Sequence, residues 1–267
     1  MKVGYAGLTE RVKAAGKRFV IAVAKAEEEE SLKALKEAYD LGICVPICTG
    51  NPEIIRRQVE KAGIVEYEII PAETDQEAAA AAVRAVISGK AQLLQKGLVS
   101  TATLLKAVLK EKEEFLSGKI LSHMAVLEKP DGSFLGITDG GMTLFPDLSQ
   151  KTAILENGIP FFRKLGIPRP KVSVLSAVEM VNKDIPSTID GAILSKMAQR
   201  GQFGDCVVEG PLSFDLSISA HAAEVKGLKG EIRGDADLLL TPDIVSGNAV
   251  GKALVYCARY PSGGVIL

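Results

Sequence analysis

In "QKGLVSTATLLK" Lys96 is followed by Ser100 and Thr101, with Lys106 a little further on. Lysines and hydroxyls at this spacing suit an anion. Lys96 falls at the end of an apolar, strand-like run, and Ser100 and Thr101 open a helix-like pattern. The first turn of a helix has free amides that point outward and favour negative charge. An ammonium beside them adds charge-assisted hydrogen bonds. The plain alternative is a helix cap next to a solvated lysine.

A second stretch, "TPDIVSGNAVGKAL", runs from Thr241 to Leu254 and follows the apolar "DADLLL". Strand, glycine-bearing loop, Gly-Lys, then helix is the layout of a nucleotide-binding loop. Such a loop needs Gly, four residues, Gly-Lys, then Ser or Thr. Here three residues separate Gly247 from Gly251, and Ala253 stands where the Mg²⁺-binding hydroxyl should be. The motif therefore fails. What remains is a tight helix entry at Ser246, Gly247 and Asn248, with Pro242 ending the strand. It reads as a helix start that favours an anion or as an ordinary cap.

Other chemistries find less support. No G-x-G-x-x-G follows a strand, which argues against a dinucleotide site. The two histidines, His123 and His221, have no second ligand at zinc spacing, and no metal site is expected. No G-x-S-x-G elbow offers a serine nucleophile. His221 lies among alanines and reads as a surface or core residue. His123, in "LSHM", lies where two domains should meet. Clefts form at such places.

The chain has 267 residues, long for one core, so two domains are expected. A net charge of -1, with acids and bases interspersed, gives no field for nucleic acid or an anionic membrane as partner. Charges interrupt every apolar run short of the ~18 residues a membrane helix needs. The start "MKVGYAGLTERVKAAGK" lacks a secretory core, so a cytoplasmic protein is expected. The four cysteines, Cys44, Cys48, Cys206 and Cys257, read as small buried hydrophobes in a reducing compartment.

The elements that must position these residues alternate. "RFVIAVA" reads as a strand, and "EEEESLKALKEAYDLG" as a helix with Leu32, Leu35 and Tyr39 on one face and Gly42 at its end. "ICVPICTG" is the next strand, and Asn51 then caps a helix with Pro52 at its first position. "EYEIIPA" is a strand, and Thr74 with Glu77 forms a capping box. "AQLLQKGL" is a strand before the helix "TATLLKAVLKEKEEF". Units of this kind imply a parallel sheet with helices on both faces, and ligands at the carboxyl ends of its strands. The texture changes near Leu121. "ILSHMAVLEK" and "SFLGITDGG" are joined by "PDG" and read as an antiparallel hairpin. Alternation then resumes. A helix over "SQKTAILENGIPFFRKLG" should be interrupted near Pro160. Strands follow at "KVSVLSA", "CVVEGPL", "ADLLLTP" and "GGVIL", with helices at "TIDGAILSKMAQRG", "ISAHAAEVKG" and "GNAVGKALVYCARY". The domains expected are 1–120 and 121–267.

Taken in order, "KGLVSTATLLKAVL", "LSHMAVLE", "ITDGGMTLFPDLSQKTAI", "KVSVLSAVE", "VVEGPLSFDLSIS" and "GDADLLLTPDIVSGNAVGKAL" resemble the phosphate acetyltransferase and butyryltransferase family, closer to the butyryl branch. With weaker likeness in the first strands, the resemblance spans Phe19 to Leu267. It implies a two-domain, three-layer α/β/α fold of the isocitrate/isopropylmalate dehydrogenase type, with a site in the cleft and a homodimer as the unit. It implies transfer of a short acyl group, butyryl-like or branched, between coenzyme A and phosphate. The substrates and small-molecule partners would be acyl-CoA, CoA and phosphate, with no further cofactor.

The resemblance places Ser100 and Thr101 at the family's Ser-Thr turn. Lys106 stands where acetyltransferases carry a phosphate-binding arginine, so the charge is kept but not the two-pronged fork. Asp243, Gly247 and Asn248 match the family's cleft segment, and Ser122 and His123 flank the domain junction. Lys96 joins them as a binding residue. The family continues past "GGVIL" into a segment that returns to the first domain with a Ser-Arg pair and an aspartate. The sequence therefore leaves the catalytic group unassigned. It also leaves open a non-catalytic CoA- or acyl-phosphate-binding relative.

Overall fold

The computed structural model describes residues 4–111 and 120–267. The chain divides into two compact units, Thr9–Gly118 and Met1–Leu8 with Lys119–Leu267. Helix α1, Gly4–Ala14, has no clear apolar face and was not foreseen from sequence. It is held from outside: the Tyr5 amide donates to Glu128 Oε2 at 2.7 Å, and the Tyr5 hydroxyl to the Val126 carbonyl at 2.7 Å.

The smaller unit holds β1 (Phe19–Ala24), α2 (Glu29–Asp40), β2 (Cys44–Gly50), α3 (Pro52–Ala62), β3 (Glu68–Pro71), α4 (Asp75–Ile87), β4 (Leu93–Lys96) and α5 (Thr101–Lys110). The end of the helix foreseen over "KEKEEF" lies mostly outside the described residues. Local chemistry sets the boundaries. Asn51 Oδ1 accepts the Glu53 and Ile54 amides, and Gly63 ends α3 at φ 71°. Thr74 and Glu77 form the capping box of α4. The strands form one parallel sheet, ordered β3-β2-β1-β4. On one face Val23, Cys44 and Cys48 pack with Leu32 and Leu35 of α2 and Ile55 and Val59 of α3. Each large side chain so buried contributes about 1.5–3 kcal/mol. Helix α4 presents Ala78, Ala79, Ala82 and Ala85 as buried residues, small enough to bring it close to β1 and β2.

The larger unit adds β5 (His123–Glu128), β6 (Phe134–Thr138), α6 (Leu148–Leu165), β7 (Lys171–Leu175), α7 (Pro186–Gln199), β8 (Val207–Leu212), α8 (Phe214–Ile218), α9 (Ala220–Val225), β9 (Leu238–Leu240), α10 (Ile244–Lys252) and β10 (Ser262–Ile266). The sheet order is β10-β5-β6-β9-β7-β8. The β5–β6 hairpin and β10 pair antiparallel, whereas β6, β9, β7 and β8 run parallel. Met124, Phe134, Val172 and Leu238 pack with Ile154, Ile159 and Phe162 of α6. Leu127, Leu135, Ile137 and Leu239 fill a second cluster with Phe214 and Leu254. No helix among the described residues is long and apolar enough to cross a membrane.

Four sequence expectations are corrected. Helix α6 runs through Pro160 without interruption. A proline inside a helix costs about 3 kcal/mol, less than the burial of Ile154, Leu155, Ile159 and Phe162 returns. The helix foreseen over "ISAHAAEVKG" is present but shorter, as α9 capped by the Ser219 hydroxyl, and the short α8 just before it was not foreseen. Helix α10 starts at Ile244, before Gly247, because Asp243 accepts the Ser246 amide, and it ends in a π-helical turn at Ala253–Cys257. Cys44 and Cys48 are buried, but Cys206 is only half-buried and Cys257 lies exposed on that turn. Burial pushes the Cys48 thiol up to about 12.

Candidate active site

In the smaller unit β1 lies between β2 and β4, so the chain winds outward to β3 on one side and returns to β4 on the other. Ligands of such sheets bind outside the carboxyl ends of the strands where the order reverses. Here the ends in question are Ala24–Lys25 and Lys96–Gly97. The Gly97 amide donates to the Ala24 carbonyl at 2.9 Å, and the Leu98 amide to the Lys25 carbonyl at 2.8 Å. A β-carbon on Gly97 would fall 2.4 Å from the Lys25 carbonyl oxygen, so only glycine fits. Lys96 Nζ folds back onto the carbonyls of Gly97, at 3.0 Å, and Val99, at 3.2 Å. Two of its three N–H groups thus close the turn, and one remains.

Ser100 is the N-cap of α5. Its hydroxyl accepts the Thr103 amide at 3.0 Å and shares a hydrogen bond with Thr103 Oγ1 at 2.8 Å. The amides of Thr101 and Ala102 have no intrahelical acceptor, as at any helix start. Thr101 and Lys106 are exposed on the same helix. Lys25, at the end of β1, has φ of 58°. Its amide donates to Thr49 Oγ1 at 3.2 Å, and its ammonium pairs with Asp75 at the first position of α4. That hydrogen bond raises the lysine above its ordinary value, against the effect of burial.

The carboxyl edge of the larger unit is organised around Asp139, which follows β6 and is 1% exposed. Its carboxylate accepts the amides of Gly141 and Met142 at 2.8 Å, His123 at 3.2 Å and Thr143 at 3.3 Å. The peptide bond before it is cis. Thr138 Oγ1 donates to the His123 carbonyl at 2.9 Å, so β5 and the loop are tied twice. Thr241, after β9, is 1% exposed and its hydroxyl donates toward the Asp139 carbonyl at 3.1 Å. Asn248 Nδ2 donates to the Gly140 carbonyl at 3.2 Å. A β-carbon on Gly247 would sit 2.5 Å from the Asp139 carbonyl oxygen. Gly247 is therefore a close-approach glycine inside α10, its amide bonded to Asp243, rather than a free anion donor.

His123 is half-buried beside this loop, and a β-carbon on Gly141 would fall 3.0 Å from its ring and one on Gly264 3.3 Å from it. Nδ1 is buried and has no hydrogen-bond partner. Burial lowers the imidazole below its ordinary range, and Asp139 opposes that shift. Ser122 is 1% exposed and structural in its contacts: its backbone pairs with Leu267 and its hydroxyl accepts Asn157 Nδ2 at 3.0 Å. One turn into α6, Lys151 is 5% exposed and pairs with Asp190 of α7 at 2.6 Å.

Lys96, Ser100 and Thr101 are thus brought into one turn, with Lys106 further along its helix. His123, Gly247 and Asn248 gather around the Asp139 loop, and Asp243 caps the helix beside it. Reasoning from sequence missed Asp139, although an aspartate between a strand and two glycines is a turn signal. It also missed Lys25 and the Lys151–Asp190 pair. Neither a left-handed backbone at lysine nor a pair 39 residues apart leaves a local signal.

Phosphate butyryltransferase of Clostridium acetobutylicum is 39% identical over 250 residues, covering 92% of this chain and 83% of that protein. Phosphate acetyltransferase of Thermotoga maritima is 37% identical over 264 residues, covering 97% and 88%. The crystal structure of a branched-chain phosphotransacylase from Enterococcus faecalis superposes with a TM-score of 0.81 at 32% identity, covering 93% of this chain and 88% of that one. Both loops built above, Lys96–Thr101 and Thr241–Asn248, fall within residues 65–267, which match the Phosphate acetyl/butaryl transferase model, and the chain belongs to that family.

Proposed function

We propose that the protein transfers a short acyl group, butyryl or a branched group of similar size, between coenzyme A and inorganic phosphate. The observation that carries this reading is the family match, which runs through both carboxyl-edge loops. In the forward direction a phosphate oxygen attacks the thioester carbonyl. The tetrahedral intermediate collapses, the C–S bond breaks, and CoA leaves as a thiolate that takes up a proton.

Two anionic reactants must be held together, so alignment and fixed positive potential supply most of the rate. The Ser100 cap, the Thr101 hydroxyl and the first amides of α5 receive phosphate, helped by the free N–H of Lys96 and the charge of Lys106. Asp243, Gly247 and Asn248, with Ser122 and His123, shape the second loop for the acyl-CoA. Direct attack by phosphate asks for no metal or redox group beyond the thioester itself. We further assign the protein to the cytoplasm, as a homodimer, which light scattering on a sizing column tests.

The functional test is CoA release from butyryl-, isobutyryl- and acetyl-CoA, with and without phosphate, read with a thiol reagent. Phosphate-dependent release, fastest with the four-carbon thioesters, is expected. Release that ignores phosphate, or none from any thioester, would overturn the reading.

A further inference from the structure

Among the described residues only Lys25 and Arg259 combine a side chain with a positive φ, each at 58°. Arg259 lies on an exposed turn. Lys25 stands instead at the middle of a parallel sheet, at the reversal of strand order, where a lysine has no intrinsic reason to adopt the left-handed region. The conformation turns its carbonyl toward two amides, those of Leu98 and Glu27, each at 2.8 Å. The Leu98 bond, with the Gly97–Ala24 bond beside it, fixes how the chain leaves β4. Two residues later that chain becomes the Ser100 cap. The approach is so close that Gly97 admits no side chain. From the other side, Thr49 of β2 accepts the Lys25 amide, and Asp75 of α4 holds the ammonium. One residue therefore joins β1, β2 and the chain leaving β4 through its backbone, and α4 through its ammonium.

We propose that Lys25 is a positioning residue for the Lys96–Thr101 turn: its left-handed backbone, pinned through Asp75, sets the place of the turn that receives phosphate. The ammonium serves to hold that conformation and does not itself contact the substrate. The inference rests on the reading of this turn as the phosphate site.

The test is steady-state kinetics on the full chain, with phosphate varied at saturating butyryl-CoA. Valine disfavours the left-handed region, whereas glycine enters it freely. Lys25→Val should raise the KM for phosphate about tenfold or more with kcat within about threefold, and Lys25→Gly should bring the KM back to within about twofold of the parent. Should Lys25→Val fail to fold, its carboxylate partner gives the same contrast. Asp75→Asn should raise the KM about threefold, and adding Lys25→Gly to it should restore the parent value. A glycine variant as impaired as the valine one would overturn the proposal, because the ammonium would then be the binding group. An unchanged KM in Lys25→Val would overturn it equally. Ser100→Ala separates the proposal from the reading beneath it. If Ser100→Ala raises the KM and the Lys25 variants do not, positioning alone fails. If Ser100→Ala also leaves the KM untouched, the turn is not the phosphate site and both fall.

Discussion

The loops at the carboxyl edges of the two sheets are fixed by opposite means. In the larger unit the loop after β6 is held from inside. Asp139 is all but inaccessible and its two oxygens accept four amides. One helical turn past that loop, Lys151 meets Asp190 in a nearly closed environment. In the smaller unit the turn after β4 is held from outside. Its cap, Ser100, is exposed, its lysine bonds to carbonyls of its own turn, and the pair behind it, Lys25–Asp75, is partly open to water. Buried polar groups are strong when fully satisfied and costly when one partner is lost, whereas exposed ones are replaced by water. The larger unit's edge is therefore part of its stability. The edge of the smaller unit can present unfilled donors to a ligand with little stability at stake.

Substitutions can break this contrast or sharpen it. The largest effect is expected at Asp139. Asp139→Ala removes the acceptor of four amides and should destabilise the protein by at least about 3 kcal/mol, with activity lost alongside. Thermal unfolding would show it, and a melting temperature within a degree or two of the parent would break the comparison. Lys151→Met comes next. It leaves the Asp190 carboxylate partly buried and unpaired, at a cost of about 2–3 kcal/mol, somewhat under that of a fully buried pair. Asp190→Asn in the same background should recover part of that loss in denaturant unfolding.

Ser100→Ala sharpens the other side of the contrast. The lost cap is worth about 1 kcal/mol, but the KM for phosphate should rise several-fold, a functional loss out of proportion to the structural one. The smallest effect concerns pH. Burial depresses the His123 imidazole in the folded protein, so the unfolded chain binds the proton first as pH falls. The stability this group contributes is complete above its ordinary value near 6.5 and is lost as pH falls through the folded value. Melting temperatures at pH 7.5 and 5.5 should therefore differ more for the parent than for His123→Gln. An equal difference would show that His123 does not titrate in this way.

Legibility in the sequence followed the range of the interactions. The caps at Asn51, Thr74 and Ser100 were readable because a side chain and an amide two or three residues on make each of them. The β5–β6 hairpin was readable from its Pro-Asp-Gly turn, where Asp131 accepts the Ser133 amide at 3.0 Å. The unbroken α6 was not readable, because Pro160 is a local penalty and the compensating core comes from other strands. Gly247 was readable as important but not for its reason. Its role is the approach of the Asp139 carbonyl from a loop 108 residues away, by the span of the neighbouring Asn248–Gly140 bond. The cysteines divide the same way: Cys44 and Cys48 lie in a strand with an apolar pattern, whereas the exposure of Cys257 depends on how the end of α10 unwinds.

Sequence alone determined the alternation of strands and helices, most of their ends and the family to which the ordered motifs belong. These rest on period, capping chemistry and turn residues, all of which act within a few positions along the chain. Tertiary structure alone decided the strand order that puts Lys25 beside Gly97, the four amides gathered on Asp139 and the closure of Lys151 on Asp190. Those contacts join residues far apart in the chain, and only the packing of the sheets and helices brings them within hydrogen-bonding distance.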